Sequence, residues 1–260
     1  MADLLDKTLQ LTQDNWGTVT MLDFSGVTGE PAMPGSPVIE VTGEAVQDAA
    51  LRFRGRRVAV LNFASGVSPG GGVRYGAKAQ EEALCLCSGL LHGLEEWLPY
   101  YEKNRESDAP QECYDHMLWS EDVPLVRDGR FKMVDAMRIN VITYPAPNMH
   151  RRVYAGAGQF SSKPLSVDWA QGVFDRRCQH VVRHAARVGT EVLILGAWGC
   201  GEYANDPGMV ARKFKAAIET QSGGIERIVF AIYGVPANRA AFERVFPATG
   251  SEARRSAAGR

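Results

Sequence analysis

Gln80, Glu81 and Glu82 place an amide and two adjacent carboxylates at the head of an apolar run, ALCLCSGLL, that reads as helix. A carboxyl group serves hydrolysis when it can give a proton to a leaving oxygen and then take one from water. Consecutive helical positions point about 100° apart, so the two acids are not expected to meet on one atom as a side-by-side dyad. The pair suggests a division of labour: one acid holds ligand hydroxyls while the other moves the proton. Acids in a first helical turn also complement the helix dipole, and Glu-Glu taken alone reads that way. Its coupling to Gly70, Gly71 and Gly72, a seven-residue spacer (VRYGAKA) upstream, shifts the balance toward chemistry. Three successive glycines forgo side-chain packing and add an entropic cost that a tight turn alone rarely requires.

A second glycine-rich loop, GAWGCGEYANDP (196–207), follows the apolar run EVLIL, as the GGG loop follows VAVLNF. Bare N–H groups between a strand and a helix form an anion site without a lysine, and two such loops could close on a diphosphate. The Walker pattern fails, because Ala77 follows Gly76 where a lysine is required. GCGEYA (199–204) fits the dinucleotide fingerprint, but the next strand ends FAIYGVP without the acid that would bind ribose.

The elements that must position these loops are legible as alternating patterns. VAVLNF (58–63), MRINVITY (137–144), EVLILGAW (191–198) and RIVFAIY (227–233) are continuous apolar runs, as expected of strands covered on both faces, and SPVIEVTG (36–43) suits an edge strand. Helical spacing marks 43–53, 80–98, 167–189, 206–220 and 236–246, with Asp206–Pro207 as a helix start and Gly189 as a C-cap. This is an α/β layer fold with a mostly parallel sheet, whose ligands sit beyond the carboxyl ends of the strands. The charged, proline-containing stretch from about 100 to 132 reads as a surface excursion, and 248–260 as a disordered tail after a single domain over 1–247.

Charge is balanced, with 29 Lys and Arg against 30 Asp and Glu, so nothing global favours a nucleic-acid or membrane partner. The N-terminus lacks a signal-peptide pattern, and no apolar run is long enough to span a membrane. Five cysteines without regular spacing suit a reducing cytoplasm better than a disulfide framework. Cys113 and His116 form a CxxH pair without a second pair, and His180 and His184 share a helical face with arginines; neither set is assigned a metal, and no cofactor is called for. Cys200 reads as a small residue fitting its loop, since no base partner is nominated for it.

Gly70–Gly72, the spacer and Gln80–Glu82 together resemble the signature of the poly(ADP-ribose) glycohydrolases, an enzyme branch of the macrodomain fold. VLNFASGVSPGGG, DHMLWSEDVPLVRD (115–128), VITYPAPN (141–148) and LGAWGCGEYANDP (195–207) look like the compact bacterial-type members, in order along the chain. The resemblance implies a macrodomain-like three-layer α/β/α fold with a mixed, mostly parallel central sheet. It also implies hydrolysis of the ribose–ribose O-glycosidic bond that joins ADP-ribose units. Glu82 would be the catalytic acid, and Glu81 would hold ribose hydroxyls. Gly70, Gly71 and Gly72 would approach ribose and phosphate, with Gln80 and Ser65 beside them. Gly196, Ala197, Trp198, Gly199, Cys200, Gly201, Glu202 and Tyr203 would embrace the diphosphate, Tyr203 packing on the distal ribose. Glu202 stands where relatives carry a small or aliphatic residue. Asn62 is either an adenine-side contact or a strand-end pairing residue, and Tyr233 either covers adenine or ends a buried strand. The implied partners are poly(ADP-ribose) or another ADP-ribosylated macromolecule, with ADP-ribose as product. Removal of single ADP-ribose groups and non-catalytic ADP-ribose binding are the competing readings; an intact QEE counts against the latter.

Overall fold

The computed structural model describes residues 1–27, 31–106, 113–150, 153–155, 159–161 and 166–248. Helix α1 (Ala2–Thr12) and strand β1 (Thr18–Asp23) precede β2 (Val38–Thr42), α2 (Val46–Leu51) and β3 (Val58–Phe63). Three helices follow, α3 (Gln80–Cys87), α4 (Leu90–Glu96) and α5 (Leu98–Arg105), then β4 (His116–Arg127) and β5 (Met133–Tyr144). After the short pair β6 (Val153–Ala155) and β7 (Gln159–Ser161) come α6 (Val167–Arg187), β8 (Val192–Leu195), α7 (Pro207–Gln221), β9 (Arg227–Ala231) and α8 (Pro236–Val245).

The main sheet has seven strands in the order β1-β4-β5-β3-β8-β9-β2. Strands β5, β3, β8, β9 and β2 run parallel to their neighbours, whereas β1–β4 and β4–β5 are antiparallel. The apolar runs of the interior strands divide with period two between two cores. Ala59 and Leu61 of β3 and Leu193 and Leu195 of β8 join Phe174, Val181 and Phe214 of α6 and α7. Val58 and Val60, with Val192 and Ile194, join Leu84, Leu91 and Tyr101 of α3, α4 and α5 on the opposite face. This gives the expected three layers, with β2 at a sheet edge.

Two expectations are corrected. The 80–98 pattern is not one helix: Ser88 adopts φ −144°, ψ 169°, its hydroxyl donates to Leu84 O at 2.7 Å, and its backbone bridges Leu125 of β4. The stretch from 100 to 132 is not a surface excursion either, because β4 pairs on both sides, with β1 and β5. An irregularity between Ser120 and Val123, with Asp122 at φ +55°, interrupts the alternation and exposes Glu121 and Asp122. Pro124 lies beyond the last β1 partner, where its missing N–H costs no ladder bond on that side. The expected helix starts and stops hold: Asp206 accepts from Met209 N at 2.5 Å, and Gly189 takes φ +72° just after α6. The expected tail lies outside the described residues apart from its first position.

Candidate active site

A cavity of about 910 Å³ opens at the carboxyl ends of β3, β8 and β9, where the connections after these strands meet the start of α3. Gln80 anchors that start. Its Oε1 accepts from Phe63 N at 2.8 Å and its Nε2 donates to Leu61 O at 2.9 Å, so its amide continues the ladder of β3. Helix α3 therefore begins at a fixed height above the sheet, and the next two residues are delivered to the cavity wall.

Glu81 is 3% exposed and Glu82 is 7% exposed. Glu81 Oε2 accepts from Ser65 N at 2.7 Å, and its Oε1 accepts from Asn62 Nδ2 at 3.2 Å. Burial pushes its pKa up to about 8 despite those two donors, with the neighbouring Glu82 adding a smaller push in the same direction. Glu82 Oε1 accepts from Gly72 N at 2.9 Å, while its Oε2 is buried without a partner among the described residues.

Gly71 and Gly72 line the cavity, and both also serve the acids. Gly71 N donates to Ser68 O at 3.1 Å and Gly72 N donates to Glu82, so both amides are engaged inside the protein. Gly71 has φ +58°, and a Cβ there would stand 2.4 Å from Glu82 Oε1 and 3.0 Å from Glu81 Oε2. Both carboxylates thus press toward the same glycine, closer together than helical geometry alone suggests. Gly70, at φ +65°, packs its backbone against Leu91, Val73 and Cys85 and does not line the cavity. The GGG loop makes room for the acids.

The open amides lie in the second loop. Trp198, Cys200, Ala204 and Asn205 N–H groups donate to loop carbonyls, whereas those of Gly199, Gly201, Glu202 and Tyr203 donate to no acceptor among the described residues. All four of these residues line the cavity. Asn205, which the sequence reading passed over, braces the loop by donating to Pro147 O at 2.8 Å and Gly199 O at 3.0 Å. Its only signal in the sequence is its place just before the Asp206 cap.

Ser65, Ala197 and Tyr233 also line the cavity, and Tyr233 is exposed at its rim instead of ending a buried strand. Tyr203 lines it as well, its hydroxyl near Ala64 O at 3.5 Å, and burial raises its pKa. Besides Gly70, four nominated residues stand elsewhere or face inward. Asn62 is fully buried and bridges Glu81 to Thr143 Oγ1 at 3.2 Å, which makes it an internal brace. Gly196 is wedged between the Phe63 ring and Ala231 O, and Cys200 does not line the cavity. Trp198 borders it but is 0% exposed, its indole donating to Tyr144 O at 3.1 Å in the core.

His116, His180 and His184 are engaged within the fold. His116 pairs with Asp23 at 3.0 Å, His180 stacks on Phe24, and His184 meets Trp119 edge-on. Among the described residues no group of three or more His, Cys, Asp or Glu could hold a metal ion.

A mixed, largely parallel α/β sheet with a paired-carboxylate helix start and an amide-lined loop at its carboxyl edge defines an α/β protein built to hold an anionic ligand against an acid. The family model described as microbial-type PARG, catalytic domain, matches residues 10–128. The chain is similar to the poly(ADP-ribose) glycohydrolase of Thermomonospora curvata, with 30% identity over 95% of this chain and 89% of that one, and a TM-score of 0.74. The same enzyme bound to the inhibitor ADP-HPD aligns with 30% identity over 94% and 88%, with a TM-score of 0.73. Poly(ADP-ribose) glycohydrolase of Deinococcus radiodurans in complex with ADP-ribose aligns with 33% identity over 92% and 97%, with a TM-score of 0.76. No curated protein matches. The chain belongs to the microbial-type poly(ADP-ribose) glycohydrolase family.

Proposed function

We propose that this protein hydrolyses the ribose–ribose O-glycosidic bond of poly(ADP-ribose) and releases ADP-ribose, acting as one macrodomain-like domain over 1–247. The observation that carries the reading is the asymmetry of Glu82: one oxygen tied to Gly72 N–H, the other buried at the cavity without a partner among the described residues. Glycosidic cleavage builds oxocarbenium character on the sugar and charge on the leaving oxygen. Glu82 gives its proton to the leaving 2′ oxygen as the bond to the anomeric carbon breaks. The resulting carboxylate takes a proton from water, whose hydroxide adds to that carbon, and the acid is restored.

Glu81 acts beside it as a ribose-hydroxyl ligand. Burial raises its pKa to about 8, so it keeps its proton to higher pH than an exposed carboxyl does. The amides of Gly199, Gly201, Glu202 and Tyr203, without an acceptor among the described residues, suit a diphosphate, and Tyr233 suits an adenine at the β9 end. Free cysteines and the absence of a long apolar helix among the described residues are compatible with a cytoplasmic enzyme.

The test is release of ADP-ribose from labelled poly(ADP-ribose) and from mono-ADP-ribosylated protein by the native chain, Glu82→Gln and Glu81→Gln. Loss of an acid–base group costs about 10²–10⁴-fold in turnover, and Glu82→Gln should show that while still binding ADP-ribose. Full turnover by Glu82→Gln refutes the role of the acid. Release from the mono-ADP-ribosylated protein but not from the polymer refutes the substrate.

A further inference from the structure

Tyr75 is 93% exposed, the most exposed large hydrophobic side chain among the described residues, yet it borders the same cavity as Glu82. Its support is rigid. The single 3-10 turn Val73–Tyr75 is closed by Tyr75 N donating to Gly72 O at 2.9 Å, with Ala77 N donating to the same oxygen at 3.1 Å. Val73 is buried in the core below, and the Arg74 guanidinium grips Glu95 Oε1 through Nε at 2.9 Å and Nη2 at 2.5 Å. Gly72 links this turn to the acid, since its N–H holds Glu82 and its carbonyl holds Tyr75. An aromatic ring is thus held in water on a turn that shares Gly72 with the reacting carboxylate, without a packing role to account for it.

The order of the strands says on which side of the reaction it stands. Across the carboxyl edge run β3, β8 and β9. The GGG turn and Tyr75 follow β3, the unpaired amides follow β8, and Tyr233, 74% exposed, follows β9. A nucleotide sugar whose base lies toward Tyr233 and whose diphosphate lies on the β8 loop brings its distal ribose to Glu82. Whatever leaves from that ribose departs toward Tyr75. Lys78 borders the cavity on the same stretch and enters no ion pair among the described residues.

We propose that Tyr75 and Lys78 bind the leaving nucleotide, the ring stacking on the adenine of the next ADP-ribose unit and the ammonium facing its diphosphate. The proposal rests on the glycohydrolase reading and adds a specificity site to it. An aromatic ring suits any base face, and a single nearby ammonium contributes a salt-dependent share.

The experiment compares steady-state kinetics on poly(ADP-ribose) with kinetics on ADP-ribose carrying a trifluoroethyl glycoside, whose leaving group is small and not aromatic. Tyr75→Ala should raise KM for polymer about fivefold or more, with kcat within about twofold, by loss of base stacking. The ratio of kcat/KM on polymer to that on the glycoside should fall by the same factor. Tyr75→Phe and Tyr75→Trp should restore it, and Lys78→Gln should flatten the salt dependence of KM on polymer. An equal loss on both substrates, or an unchanged polymer KM in Tyr75→Ala, overturns the proposal while leaving the glycohydrolase reading intact. A native enzyme inactive on both substrates removes that reading and this one with it.

Discussion

Gly71→Ala isolates the geometry on which the chemistry depends. The new Cβ would lie 2.4 Å from Glu82 Oε1 and 3.0 Å from Glu81 Oε2. Restoring ordinary van der Waals separation moves the Glu82 carboxylate by about 1 Å. Its hydrogen bond from Gly72 N, 2.9 Å long, does not survive a retreat of that size in the unfavourable direction. A misplacement of about 1 Å costs on the order of 10²-fold in rate. Independently, alanine at φ +58° carries left-handed strain of about 1–2 kcal/mol. For a chain of this length that lowers Tm by roughly 2–8 °C. Gly55→Ala separates the two effects, because Gly55 has φ +81° with nothing within 4 Å of its Cβ. Gly71→Ala should lose at least as much Tm as Gly55→Ala by scanning calorimetry, since it adds the displaced carboxylate to the backbone strain, and only Gly71→Ala should lose turnover by about two orders of magnitude. Native kcat in a folded Gly71→Ala, or an equal activity loss in Gly55→Ala, refutes the claim that this glycine exists to admit the carboxylates.

Glu81 also makes stability depend on pH. Its folded pKa of about 8 stands above the unfolded value near 4.5, so the folded state keeps a proton that the unfolded chain has released. The stabilisation is therefore full below pH 4.5 and is lost as pH rises through about 8, at up to about 1.4 kcal/mol per unit. Unfolding curves at pH 5.5, 7 and 8.5 should fall less steeply for Glu81→Gln than for the native chain, and identical slopes would contradict the burial argument. His180 and His184, both pushed down to about 4 by burial, act alike in the two proteins and cancel in the difference. Arg177 offers a test of the frame beneath the loops. Fully buried, it donates to Asp115 at 2.9 Å, Pro145 O at 3.0 Å and the carbonyls of Cys113 and Tyr114 at 3.2 Å. Arg177→Met should lower unfolding stability in urea by roughly 3 kcal/mol, and a loss under about 1 kcal/mol would show that Arg176 alone holds Asp115.

The hidden parts of the fold have identifiable reasons. β4 escaped a reading by alternation because its irregularity at Glu121–Asp122 breaks the period and its Pro124 mimics a loop signal. The helical run after Gln80 looked continuous because its apolar spacing carries on across Ser88–Gly89, a pair that favours a turn without dictating one; the bridge to Leu125 holds Ser88 in an extended form. By contrast, the Asp206 cap and Gly189 act on neighbours a few residues away, and both were legible.

The same distinction governs the site. Residue types and spacing alone determined that this chain carries two adjacent acids at a helix start, glycine loops after two strands, and the alternating pattern that brings those loops to one sheet edge. Which amides stay open, which acid has its pKa raised by burial and which nominees turn inward was decided by the tertiary structure. Asn62, Ser65 and Gly72 reach the two glutamates from 10 to 19 positions away, and Trp198 meets Tyr144 across 54. Hydrogen-bond pairing and burial are properties of neighbours in space, and they came into being only when β3, α3 and the β8 loop closed on one another.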